Sequence, residues 1–327
     1  MSTKKNKQGF ETRAIHAGQE PDPTTGAIMT PIYTSSTYVQ ESPGVHKGYD
    51  YSRSVNPTRK ALESCIADLE GSSHGFAFAS GMSASATVLE LLSSGDHVIA
   101  MDDLYGGTYR LFENVRKRSA GLEFTFCDLS DLDTLESSIT EKTKMIWIET
   151  PTNPLLKIAD LEAISQFAKK NKLISVCGNT FCSPFGQNPL EFGFDVVVHS
   201  ATKYLNGHSD LIGGVVVGSN EKENLANEIL YLQNAVGSIM SPFDSFLLLR
   251  SLKTLSVRME RHCSNAEKIA SYLNSHSAIE KVIYPGLKSH PQHNIALKQM
   301  KGFGGMISVV LKGGLESATN FLERTKL

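Results

Sequence analysis

The chain has 327 residues, which at roughly 150 residues per domain corresponds to about two domains with room for a sizeable core. Apolar types make up 40% and charged types 20%, which excludes a mainly disordered or low-complexity chain. With 32 basic and 34 acidic side chains the formal net charge is −2, so a strong pull on phosphate backbones is absent and nucleic acid is not expected as the principal partner.

The first residues, MSTKKNKQGFETR, are polar and lead into no apolar stretch, so neither a signal peptide nor a membrane span is expected. Residues 1–58 carry Pro21, Pro23, Pro31, Pro43 and Pro57 among many Ser and Thr and are read as an extended arm lying on another surface. From 59 the pattern changes. RKALESCIADLE has helical spacing, HGFAFAS reads as a short strand, and SASATVLELLSS is helical again.

The alternation continues through HVIAMDD (strand), GTYRLFENVRKRS (helix), LEFTFCD (strand), LDTLESSI (helix), KMIWIET (strand) and DLEAISQFAKKN (helix). LISVCG, DVVVHS and GGVVVGS follow as strands. Near-continuous apolar strands between amphipathic helices imply an α/β fold with a largely parallel sheet buried on both faces, here placed over residues 59–245. Residues 246–327 are read as a linker helix, within one or two helices spanning 244–274, and an incomplete smaller α/β domain. That domain holds a strand (IEKVIYP), a turn, a helix, a strand (MISVVLKG) and a helical tail, ESATNFLERTKL. Five cysteines without a C-x-x-C pair indicate no disulfide framework and no thiolate zinc site, which fits a reducing cytoplasm. His290, His293, Cys177 and Cys182 lack a complete set of metal-ligand spacings, so no metal is expected. Trp147 reads as a buried strand residue.

Four stretches carry chemistry. In HSATKYLNGHSD a lysine, Lys203, follows a strand end, where open parallel sheets place their ligands, and hydroxyls at Ser200 and Thr202 flank it. A lysine so placed is a candidate covalent nucleophile, with phosphate-binding hydroxyls beside it. In FASGMSASATVLELL, Gly81 and Met82 sit where strand gives way to helix and present backbone N–H groups to an anion. The dinucleotide glycine fingerprint and the P-loop Lys-Ser/Thr are both absent, so a nucleotide is the weaker candidate. Tyr105 in MDDLYGGTYRLF stands ahead of two glycines, suited to stacking on a planar ring, with Arg110 after it. Tyr51 and Arg53 in YDYSRSVNPTR, two apart on a segment read as extended, share a face suited to a phosphate.

A reactive lysine, a phosphate cradle at a helix end, a stacking tyrosine and an arginine clamp together describe pyridoxal phosphate. YSRSVNPTR, FASGM, DDLYGGTYR, IETPTNP, HSATKYLNGHSD and VIYPGLKSHPQH resemble the Cys/Met-metabolism family of pyridoxal-phosphate enzymes, nearest to cystathionine γ-lyase and γ-synthase, from about residue 10 to the end. The resemblance implies a fold-type I, aminotransferase-like architecture and a homotetramer built from dimers that share sites. It implies that Lys203 carries the cofactor covalently and then moves protons, and that Tyr105 stacks on its ring. Gly81, Met82, Ser200 and Thr202 would hold the phosphate, Tyr51 and Arg53 would reach the phosphate of a neighbouring subunit, and Arg110 and Asn153 would lie near the substrate. The implied reaction breaks or forms a carbon–sulfur bond at the γ-carbon of an amino acid such as cystathionine, cysteine or an O-acylhomoserine. An inactive remnant retaining cofactor or subunit surfaces is the rival reading.

Two departures stand out against the family pattern. In VCGNTFCSP the family's aspartate before Asn-Thr-Phe is replaced by Gly178. That carboxylate would keep the ring nitrogen protonated, and forfeiting a shift of about 1 to 3 pKa units is worth roughly 1.4 to 4 kcal/mol. Asn179 is a poor stand-in, because neighbouring strand residues face opposite sides. The family pattern also runs past ERTKL, through a glutamate and a carboxylate-binding arginine that this sequence does not show, and impaired activity with exposed apolar strands is the expectation.

Overall fold

The computed structural model describes residues 8–326, so the polar start at 1–7 and the last residue of the tail lie outside the described residues. Seven strands form one sheet: β1 (His74–Phe78), β2 (His97–Met101), β3 (Glu123–Cys127), β4 (Thr143–Glu149), β5 (Ile174–Gly178), β6 (Val196–Ser200) and β7 (Gly214–Gly218). Their order is β1-β7-β6-β5-β4-β2-β3; the pairs among β2 to β6 are parallel, and β7 runs antiparallel to both its neighbours. The mostly parallel sheet is as the strand pattern predicts. Helices cover it on both faces, which is why its strands read as unbroken apolar runs.

Period-two alternation divides the core between those faces. Phe76, Phe78, Val196, Val198 and Val216 point into one cluster, which includes Trp147 and helix Leu161–Lys170. Ala77, Val197, Val215 and Val217 point into the other, against helices Pro57–Glu70 and Pro242–Leu252. The first of those helices starts on Asn56, whose side chain accepts from the backbone N–H groups of Thr58 and Arg59, with Pro57 at its first position. It ends on Gly71 in the left-handed conformation.

A second, two-stranded antiparallel sheet pairs β8 (Ile279–Ile283) with β9 (Ser308–Leu311). Val282 and Tyr284 pack there against Ala266 and Ala270 of the helix Leu255–Asn274.

Several elements differ from expectation. The arm contains a helix, Phe10–His16, whose Ala14 is buried and whose Arg13 donates to the Asp68 carbonyl. The segment read as one helix over 107–119 has a π-helical middle, Arg110–Arg116. A 14-residue helix, Glu223–Val236, occupies a stretch for which no element was predicted. Of the one or two helices expected over 244–274, the structure has two, parted at Lys253 and Thr254.

Candidate functional site

The C-terminal ends of β4, β5 and β6 meet the N-terminus of helix Gly81–Leu89 at a cavity of about 270 Å³. Ser80 caps that helix: its hydroxyl accepts from the Ser83 N–H at 3.0 Å, while Ser83 Oγ accepts from the Ser80 N–H at 3.1 Å. Helix geometry leaves the N–H groups of Gly81 and Met82 without carbonyl partners. Both residues line the cavity. A side chain at 81 would not fit, since a Cβ there would sit 3.0 Å from Ser200 Cα and Cβ.

Lys203 lines the same cavity three residues after β6, with Ser200 and Thr202. Its peptide is held by the Lys203 N–H donating to Ser200 O (3.3 Å) and by the Gly207 N–H donating to Lys203 O (2.7 Å). Thr202 Oγ1 accepts from the Gly213 N–H at 3.1 Å, and Thr180 Oγ1 accepts from the Ser200 N–H at 3.0 Å. Arg258 ties the loop down from the long helix, donating to Tyr204 O at 2.6 Å and Ser251 O at 3.0 Å.

Tyr105 lines the cavity as well and is 45% exposed. A Cβ on Gly107 would lie 2.4 Å from its ring and 3.0 Å from Met82 Sδ, so glycine there leaves room for the tyrosine ring beside it. Its backbone N–H donates to Glu149 Oε2 at 2.9 Å, and Thr108 Oγ1 donates to Glu149 Oε1 at 3.1 Å. Glu149 faces the cavity and is otherwise enclosed by protein; burial pushes its carboxyl up to about 7, against the two hydrogen bonds that favour the anion.

Of the residues singled out in the sequence, Gly81, Met82, Tyr105, Asn153, Ser200, Thr202 and Lys203 share this cavity. Arg110 is exposed and outside its lining. Tyr51 and Arg53 also lie outside it, and their segment is a turn, not an extended strand, because the Ser54 and Val55 N–H groups both fold back onto Tyr51 O. The pair still associates: the Arg53 guanidinium lies 5.3 Å from the Tyr51 ring centroid, and it donates to the Asn234 carbonyl at 2.6 Å.

Trp147 is buried as expected and lines the cavity as well. Gly178 and Thr180 face the cavity while Asn179, between them, turns away and donates to Glu70 Oε1 and to the Gln187 carbonyl. His290 and His293 bind the carbonyls of Leu156 and Pro285. Among the described residues no group of three or more His, Cys, Asp or Glu could hold a metal ion.

Glu149, Thr180 and Arg258 had not been singled out. Glu149 shares the phase of Met145 and Trp147 at a strand end, and that was the available signal.

Residues 11–327 match the family model described as Cys/Met metabolism PLP-dependent enzyme. The chain belongs to that family. Cystathionine beta-lyase of Coxiella burnetii is 62% identical over 329 residues, covering 100% of this chain and 84% of the relative. Cystathionine gamma-lyase of Dictyostelium discoideum is 51% identical, covering 99% of this chain and 84% of its own length. The crystal structure of metB from Corynebacterium glutamicum superposes with a TM-score of 0.96 at 49% identity, covering 98% of this chain and 83% of that one. Together with the seven-stranded sheet these matches make the fold a fold-type I pyridoxal-phosphate architecture, and pyridoxal phosphate is the family's cofactor.

The residues present fit that cofactor. The bare helix start against Ser200 is a cradle that a single Cβ would fill. Beside it lie an amine, two hydroxyls and a tyrosine ring.

Proposed function

We propose that the chain uses pyridoxal phosphate to break or form a carbon–sulfur bond at the γ-carbon of cystathionine-type amino acids. The observation that supports this most directly is the convergence of Lys203, Tyr105 and the start of helix Gly81–Leu89 on one cavity. Gly81 and Met82 bind the phosphate through their N–H groups and the positive helix end, with Ser200 and Thr202 adding hydroxyls. Lys203 would hold the cofactor covalently, and its amine would move protons at the substrate carbons. Tyr105 would stack on the ring and keep water from that face. Bound there, pyridoxal phosphate supplies an electron-withdrawing ring that spreads the negative charge developing on substrate carbons.

Asn153, at the cavity rim, orients the substrate. Arg110 does so only if the helix start carrying it moves inward. Tyr51 and Arg53, exposed and outside this chain's cavity, are suited to reach the phosphate of a neighbouring subunit in a homotetramer. The division into an arm (1–58), a cofactor-binding unit (59–245) and a C-terminal unit (246–327) belongs to the same proposal, as does a cytoplasmic setting. Among the described residues no helix is long and apolar enough to cross a membrane.

The test is direct. Protein saturated with pyridoxal phosphate and reduced with borohydride is expected to carry the added mass on Lys203, and Lys203→Ala to carry none. Cystathionine given to the loaded protein is expected to yield cysteine, 2-oxobutyrate and ammonia; homocysteine with pyruvate would move the bond from the γ- to the β-carbon. One observation, the glycine at 178, favours a second reading in which the chain binds cofactor without turnover. Labelled Lys203 with no product from any thioether or O-acylhomoserine would establish it.

A further inference from the structure

β4 and β5 are parallel neighbours in which Glu149 and Gly178 are register partners, so the Glu149 side chain and a Cβ at 178 would leave the same face of the sheet, toward the cavity. A Cβ at 178 would lie 2.8 Å from Glu149 Cγ and 3.7 Å from its Cβ. The clash falls on a methylene near the backbone and not on the mobile tip, so the side chain of Glu149 leans across the room that any other residue at 178 would fill. Its carboxylate is held by the Tyr105 N–H and the Thr108 hydroxyl, and no cation pairs with it among the described residues. Of the residues lining the cavity it alone carries a carboxyl, and Lys203 alone an amine. Burial disfavours the protonated form of a pyridine ring nitrogen, and a carboxylate close by favours it.

We propose that Glu149 replaces the missing carboxylate at 178 as the partner of the cofactor's ring nitrogen. This rests on the reading that pyridoxal phosphate occupies the cavity on Lys203, and it assigns to this chain a partner on the strand next to the usual one. Asn179 cannot compete, because its amide is committed to Glu70 and Gln187 on the opposite face. The close approach of Tyr105 to the same carboxylate couples the stacking residue to the ring partner through a single 2.9 Å hydrogen bond.

The experiment uses the full chain loaded with pyridoxal phosphate carrying ¹⁵N in the ring. The wild-type ¹⁵N resonance is expected in the protonated range and that of Glu149→Gln in the neutral pyridine range. Affinity is read in parallel for pyridoxal phosphate and for its 1-deaza analogue, in which carbon replaces the ring nitrogen. The wild type is expected to bind the analogue about tenfold or more weakly, as a pKa preference of one unit or more implies, and Glu149→Gln is expected to bind both alike. Should Glu149→Gln fail to fold, the two measurements on wild type alone still decide: a neutral ring nitrogen together with equal affinities overturns the proposal. A Glu149→Gln resonance unmoved from wild type overturns it as well. Borohydride labelling of Lys203 separates the two layers. If Lys203 is labelled while the nitrogen is indifferent to Glu149, only this proposal falls; if Lys203 is unlabelled, the cofactor reading falls with it.

Discussion

Glu149 without a bound cation is a carboxyl that folding makes harder to ionise. Its proton affinity rises from the ordinary value of 4.5 to about 7 because burial outweighs the hydrogen bonds from Tyr105 and Thr108, with Asp103 adding repulsion. A carboxyl whose folded value is raised favours the folded state below its unfolded value, and that contribution is lost as pH rises through the folded value. The cofactor-free protein is therefore expected to lose urea resistance between about pH 5 and pH 8, and Glu149→Gln to lose less of it, as two denaturation series would show. Parallel curves would mean that the carboxyl is not buried in solution. The neighbouring position gives a second, steric prediction. Alanine for glycine in a strand normally gains about 0.5 to 1 kcal/mol, but at 178 its Cβ meets Glu149 Cγ at 2.8 Å. Gly178→Ala is expected to cost about 1 to 3 kcal/mol by overpacking, and Gly178→Ala with Glu149→Ala to recover it.

The elements that aim the cavity are joined behind the sheet by one buried polar cluster. His199 Nε2 and Glu70 Oε1 lie 2.6 Å apart with both side chains fully buried, Asn179 Nδ2 donates to the same oxygen at 3.1 Å, and Asn188 Nδ2 donates to Leu69 O at 2.9 Å. Glu70 closes helix Pro57–Glu70, His199 is on β6 and Asn179 directly follows β5, so the cluster fixes the two strand ends that carry Gly178 and Ser200. Glu70→Ala strands several buried donors at once, and about 3 to 5 kcal/mol of lost stability is expected, with the cavity loosened even though no cavity residue changes. Calorimetry of this variant, with cofactor affinity measured beside it, checks both halves. This layer was hardly legible in the sequence: strands and cavity helix follow from apolar period and turn chemistry, whereas a Glu, a His and two Asn scattered over 129 positions meet only once the sheet is assembled. Helix Glu223–Val236 escaped for the opposite reason. It starts on Lys222 with no side-chain cap hydrogen bond, and Leu230 and Tyr231 on its surface blur the apolar stripe. Lys203, Tyr105 and the Ser80–Met82 turn were legible because local chemistry alone marks them; the turn at Tyr51 was not, because its two hydrogen bonds are backbone to backbone.

Across the whole molecule the two sheets are covered unequally. Every strand from β2 to β7, apart from the edge strand β3, is largely buried, while β9 leaves Val310 42% exposed, and helix Gly314–Glu323 has no buried residue. That helix nevertheless carries an apolar stripe, with Leu315 83%, Phe321 53% and Leu322 67% exposed at helical spacing. Ten residues are too short for a helix to persist on propensity alone, and an apolar stripe facing water favours association over a lone folded chain. Leu315→Lys with Leu322→Lys is therefore expected to lower binding of an apolar dye and to raise the concentration at which the purified chain self-associates. Borohydride labelling of Lys203 is expected to stay intact, since neither residue lines the cavity. Unchanged dye binding would instead assign the sticky surface to helix Glu223–Val236, where Leu230, Tyr231 and Val236 are also exposed. The same pair of substitutions placed at Leu230 and Val236 would then abolish the dye signal, and a smaller assembly on sizing in that second variant alone would mark the helix as a contact between copies of the chain.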